Sequence, residues 1–166
     1  MTTVYLPSDP LFPLQWHLLN QGNTPYSVPG YDINVVSVWP DYTGWGVLVG
    51  VLDSGMDVTQ PDLVQNYRPD LSWDVNLNIP GGALRDPDAN HGVAVAGLVA
   101  AAADNGVGGV GVAWDAGLVS YRSKQVAFPE EMILSEFTLG AQKMIADHID
   151  VSVNSWGAVP LSIHAS

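Results

Sequence analysis

Residues 46–55 read Gly46-Val47-Leu48-Val49-Gly50-Val51-Leu52-Asp53-Ser54-Gly55. A short apolar run with no polar alternation, closed by a polar turn, is the pattern of a strand covered on both faces, as in a parallel sheet sandwiched between helices. Downstream, residues 61–85 read as loop. His91 then opens an Ala-rich stretch, 91–103, too uniformly apolar for a surface helix and therefore expected in the core. Gly97 inside it costs about 1 kcal/mol relative to Ala, which predicts a close packing neighbour. Residues 118–121 predict a second strand. Residues 130–147 predict the clearest helix: Pro129, Glu130 and Glu131 stand at its start, Lys143 lies near its end, and Ile133, Phe137, Ala141, Met144 and Ile145 recur at helical spacing. A third strand, 149–153, runs into Asn154-Ser155-Trp156-Gly157. Upstream, Pro7, Pro10, Pro13, Pro25, Pro29 and Pro40 make residues 1–45 an irregular arm held by its Trp and Tyr side chains, with a short helix at 33–39. Strand, helix, strand, helix, strand defines an α/β class with an open, mostly parallel sheet and flanking helices. Chemistry in such sheets gathers beyond the carboxyl ends of the strands, which points at Asp53, at residues 154–157 and at the helix opened by His91.

The 166 residues are 47% hydrophobic and 13% charged, enough for one globular unit burying roughly 70% of its extended surface. Five Lys and Arg against seventeen Asp and Glu give a formal net charge of −12, which repels nucleic acid and anionic membranes and suits a divalent cation such as calcium. The absence of Cys excludes disulfides, thiolate metal sites and a cysteine nucleophile. The longest apolar run, 93–103, is too short to span a bilayer, and residues 1–10 have neither a basic start nor an apolar core, so neither a transmembrane helix nor a signal peptide is expected within this sequence.

An Asp at a strand end is commonly a turn former, and a lone His at a helix start is no more specific. Together, Asp53 and His91 gain meaning: a carboxylate that orients an imidazole lets the imidazole take a proton from a hydroxyl nucleophile. His17, His148 and His164 lack such a setting and read as surface or loop residues. Gly106-Val107-Gly108-Gly109-Val110-Gly111 fits G-x-G-x-x-G by letter, but a dinucleotide site needs a strand before it and a helix after it, and here the order is reversed.

Six short motifs occur in a fixed order: Asp9-Pro10-Leu11-Phe12-Pro13-Leu14-Gln15-Trp16, Gly50-Val51-Leu52-Asp53-Ser54-Gly55, Pro61-Asp62-Leu63, His91-Gly92 with Val95-Ala96-Gly97, Gly108-Gly109-Val110-Gly111-Val112-Ala113, and Asn154-Ser155-Trp156-Gly157. This series resembles the subtilisin-like serine proteases, in particular the kexin and furin-like branch and its secreted bacterial relatives. The resemblance implies a three-layer subtilisin-like fold, incomplete at the carboxyl end, with residues 46–166 as the amino-terminal half of a peptidase domain. It implies Asp53 as the triad aspartate, His91 as the general base, and Ser155, Trp156 and Gly157 as the segment that pairs with an extended polypeptide substrate. The nucleophilic Ser would follow the His by roughly 150 to 160 residues, and neither it nor the oxyanion Asn is in this sequence. The expected partners are a polypeptide substrate and the missing carboxyl-terminal half.

The same resemblance implies a structural calcium, with side-chain ligands Asp9, Asp62 and Asn105 and backbone carbonyls from Ala102, Val107 and Gly109. For a second cation site Asp74 matches, but Leu77, Ile79 and Gly81 stand where carboxylates are expected, with Asp86 and Asp88 nearby. Ser54 and Ala158-Val159-Pro160 lack the acidic residues that select basic substrates in the furin-like branch, so a strict dibasic preference is not expected, although Asp88 supplies one negative charge. Val93 stands where a Thr usually follows His-Gly. The resulting expectation is a secreted, calcium-stabilised serine endopeptidase, present as a fragment; the alternative is a non-catalytic module that binds peptide or calcium.

Overall fold

The computed structural model describes residues 5–22, 25–86, 90–124 and 130–156, with side chains in the last stretch from 134 onward. The elements in chain order are β1 (Leu48–Asp53), β2 (Trp73–Asp74), β3 (Ile79–Pro80), α1 (His91–Ala100), β4 (Gly117–Arg122), α2 (Glu130–Ala146) and β5 (Val151–Val153). The sheet order is β3-β2-β4-β1-β5; β1 runs parallel to β4 and β5, β2 runs parallel to β4, and only the β2–β3 pair is antiparallel.

The continuous apolar run of β1 has its explanation in the two layers around it. Val49 and Val51 pack with Ala96 and Ala100 of α1, Met56, Leu63 and Leu118. Leu52 packs on the opposite side with Val75, Val119, Tyr121 and Met144 of α2. A third cluster joins the arm to the loop after α1 through Phe12, Leu18, Val35, Val36, Trp39, Val110 and Trp114, with the rings of Trp39 and Trp114 4.3 Å apart. The arm is thus irregular in backbone and held by a few buried side chains; of the Trp and Tyr expected to hold it Trp39 is buried, whereas Trp16, Tyr26, Tyr31, Tyr42 and Trp45 are exposed.

Several local expectations differ from what is observed. The helix expected at 33–39 is a single 3-10 turn, Val35–Ser37, preceded by Asn34 at φ 55°. Residues 61–85 contain the two-residue strands β2 and β3 in addition to loop. Gly97 has no neighbour within 4 Å of an added Cβ, whereas Gly92, five residues earlier, would put a Cβ 2.5 Å from the Gly55 carbonyl. Close approach is therefore made by the first turn of α1, and Leu98 on its open side is 52% exposed. Met144 of the expected stripe does pack inward, but beside Glu136 and Gly140, whereas Phe137 and Ile145 of that stripe are 40% and 77% exposed. Gly140 lets the helix sit close on Leu52, and Glu136 is buried because it accepts hydrogen bonds from Asn76 Nδ2 and Lys124 N, both at 2.9 Å. Ile133 of that stripe lies outside the described side chains.

Candidate active site

β1 delivers Asp53 to the carboxyl edge of the sheet, where the side chain is almost fully buried. α1 begins at His91 directly opposite, and its Nδ1 lies 2.9 Å from both Asp53 carboxylate oxygens. The pair is asymmetric in its surroundings, since the His91 side chain is 47% exposed and that of Asp53 4%. A buried carboxylate thus grips one ring nitrogen while the ring remains open to solvent. Asp53 Oδ1 also accepts the Ser54 N–H at 2.7 Å, and the Asp53 carbonyl accepts the Ser123 N–H at 2.7 Å, which ties the end of β1 to the end of β4.

Ser155 and Trp156 lie beyond the carboxyl end of β5 and are exposed. The Trp156 indole N–H donates to the Leu52 carbonyl at 2.8 Å and the ring meets Phe137 edge-on at 5.8 Å, so this segment is fixed beside the end of β1. The substrate-segment residue Gly157 and the acidic Asp88 lie outside the described residues.

Asp9 and Asp62, both buried, are brought to the loop after α1. Asp9 accepts the backbone N–H of Asp104 at 2.7 Å and of Asn105 at 3.2 Å; Asp62 accepts Asn105 Nδ2 at 2.9 Å and the Gly109 N–H at 3.0 Å. Gly108 is required at this turn, because it has φ +53° and an added Cβ would stand 1.9 Å from Asp62 Oδ2. The Ala102 N–H donates to the Asp62 carbonyl at 2.8 Å and the Val107 N–H to Asn105 Oδ1 at 2.9 Å. Neither Asp9 nor Asp62 takes part in an ion pair among the described residues. Nor do three His or acidic side chains converge among the described residues in a group that could hold a metal ion. The arm is fastened to the same loop by Asp104, which accepts hydrogen bonds from the Tyr5 hydroxyl and from Ser8 N and Oγ. Burial and then that bond push the Tyr5 hydroxyl up to about 12, while the Tyr5 and Ser8 donors hold the Asp104 carboxyl below its usual range.

Asp74 has a different setting from the one a second cation site needs. It is fully buried and bonded to Arg85 Nε at 2.7 Å and to Arg122 at 2.9 Å, so guanidinium charge already surrounds it. Sequence reading missed this cluster, the Ser54 hydroxyl and the Trp156 anchor, since each joins residues far apart in the chain. His17 is also less exposed than expected: its Nε2 is buried without a hydrogen-bond partner among the described residues, and burial lowers its pKa.

The site is thus a mostly parallel α/β sheet that carries a buried Asp and a half-exposed His, hydrogen-bonded to each other, at its carboxyl edge. The chain belongs to the subtilase family, whose model matches residues 44–165. It is 38% identical over 154 residues to neuroendocrine convertase 2 of Mus musculus, covering 90% of this chain and 23% of that protein. It is 41% identical over 156 residues to the PC3-like endoprotease variant B of Hydra vulgaris, covering 92% of this chain and 21% of that protein. Among solved structures it resembles the Aeromonas sobria serine protease in complex with a chaperone, at TM-score 0.76 and 29% identity over 92% of this chain and 26% of that one. The chain therefore spans about a quarter of the length of these relatives. Among the described residues, no helix is long and apolar enough to cross a membrane.

Proposed function

We propose that these residues are the amino-terminal part of a calcium-stabilised serine endopeptidase of the subtilisin/kexin type, which hydrolyses peptide bonds with an Asp-His-Ser triad whose serine lies outside this sequence. The observation that carries the reading is the bidentate approach of buried Asp53 to His91 Nδ1. With the proton held on Nδ1, Nε2 is left as the acceptor. It takes the proton from the attacking serine hydroxyl and returns it to the leaving amine, while Asp53 stays ionised and stabilises the imidazolium. Ser155, Trp156 and Gly157 would align the peptide backbone as an added strand, and Asp88 would contribute one negative charge to side-chain selection. Secretion is part of this proposal, as is packing of a carboxyl-terminal half against the exposed side of α1.

A fluorophosphonate probe tests the reaction. The 166-residue chain is expected to stay unlabelled, and the reading frame extended to the serine is expected to be labelled at one residue. Labelling of the short chain at a single serine would overturn the fragment reading, and an unlabelled extended protein would favour a non-catalytic module.

Calcium fits the loop after α1, where Asp9, Asp62 and Asn105, with the carbonyls of Ala102, Val107 and Gly109, would hold it and join the arm to the core. A cation that binds only the folded state stabilises it by about 2.7 kcal/mol at a free concentration one hundred times Kd. Added calcium is thus expected to raise the Tm of the chain and a chelator to reverse the rise, with Asp62→Asn blunting both. A Tm indifferent to calcium would remove the metal from the proposal.

A further inference from the structure

The first turn of α1 carries N–H groups that the helix cannot satisfy itself, and a side chain at the N-cap usually accepts one of them. Asn90 occupies that position and makes no such bond. The acceptor comes instead from across the site: Ser54 Oγ, in the turn that follows β1, receives the Gly92 N–H at 2.9 Å. Ser54 is buried, and its own N–H holds Asp53 Oδ1. An added Cβ on Gly92 would lie 3.1 Å from Asp53 Cβ as well as 2.5 Å from the Gly55 carbonyl, so helix and turn are in direct contact here. These contacts close a ring: Asp53 to Ser54 through the backbone amide, Ser54 Oγ to Gly92, Gly92 to His91 along the chain, and His91 Nδ1 back to Asp53.

We propose that Ser54 is a positioning residue, whose hydroxyl fixes the start of α1 against the turn after β1 and so sets the His91 ring on the Asp53 carboxylate. The assignment rests on the proposed role of the Asp53–His91 pair. It goes further in making the geometry of that pair depend on a third side chain, whose hydroxyl is bonded to the Gly92 N–H and not to the imidazole. One peptide bond separates the capped Gly92 nitrogen from His91, so a drift at the cap moves the backbone from which the ring is hung. A hydroxyl does this without adding charge beside Asp53, and its O–H remains available to a second acceptor.

The test reads the His91–Asp53 bond itself, in the 166-residue chain labelled with ¹⁵N-histidine. The His91 Nδ1 proton is followed by NMR for its downfield shift and its exchange with water, next to the Tm of each variant. Ser54→Ala is expected to speed that exchange by about tenfold or more, the consequence of losing one buried hydrogen bond that gated the opening, and Ser54→Thr is expected to restore slow exchange. Should Ser54→Ala fail to fold, Ser54→Cys, similar in size with a weak acceptor, is measured in its place and is expected to behave like the Ala variant. A lowered Tm with an unchanged Nδ1 resonance would mean that Ser54 merely caps the helix, and would overturn the proposal. A wild-type chain with no protected Nδ1 proton would instead bring down the Asp53–His91 pair, and the positioning role with it.

Discussion

Asp53→Asn is expected to lower kcat/KM of the serine-bearing protein by about 10,000-fold while leaving the fold intact. The direction follows from which atoms already hold the carboxylate. Oδ1 accepts the Ser54 N–H at 2.7 Å, so an asparagine must keep its carbonyl oxygen there and turn its amide N–H₂ toward the His91 ring. The amide N–H₂ at the Oδ2 position, 2.9 Å from His91 Nδ1, then favours the tautomer in which Nδ1 accepts and the proton sits on Nε2, so the nitrogen that should take the serine proton is already protonated. The near-isosteric amide leaves the packing around β1 undisturbed, so the circular dichroism spectrum is expected to match the wild type. Rates on a chromogenic peptide decide the matter. A loss smaller than tenfold would show that Asp53 does not orient the general base.

What could be read from the sequence and what could not divides by the range of the interaction. β1 was legible because a strand covered on both faces leaves a continuous apolar run, and Val49, Val51 and Leu52 do pack into two layers. Asp53 and His91 were legible because the carboxyl edge of a parallel sheet is defined by where strands end and helices begin. β2 and β3 have two residues each, too few for any periodicity to register, and they exist only because β4 offers an edge and β2 pairs there. The rotation of α2 was hidden because Phe137, Ala141 and Ile145 are more apolar than the Glu136 and Gly140 that turn inward with Met144; the choice was made by Gly140 against Leu52 and by the bonds to Glu136. The Ser54 cap links residues 38 apart, and the Asp74–Arg122 bond links residues 48 apart. Pairings at that distance leave no mark on spacing.

Asp74→Ala is expected to destabilise the chain by about 3–5 kcal/mol, because it removes the partner of a buried cation and leaves the charge behind. The Asp74 side chain is 0% exposed and that of Arg122 is 12%, so water cannot take over from the carboxylate, and Arg122 Nε is already buried without a partner among the described residues. The Leu77 N–H loses its acceptor, Asp74 Oδ1, in the same step. Arg85→Ala provides the contrast. Its side chain is 48% exposed and it leaves the Asp74–Arg122 pair intact, so its cost is expected to stay below about 1 kcal/mol. Asp74→Asn, which keeps the volume and can still accept from Leu77, isolates the charge and is expected to fall between the two. Urea denaturation midpoints measure all three, and an Asp74→Ala chain within 1 kcal/mol of the wild type would refute the ranking. The consequence extends to the active edge of the sheet: Arg122 is the β4 residue in register with Asp53, and its Cγ would lie 3.1 Å from a Cβ added to Gly55. The side chain whose guanidinium neutralises Asp74 therefore also packs, through its Cγ, against the turn that follows Asp53 and Ser54. In the serine-bearing protein, the loss of stability in Asp74→Ala should be accompanied by a lower kcat even well below the unfolding temperature, whereas Arg85→Ala should leave kcat close to wild type.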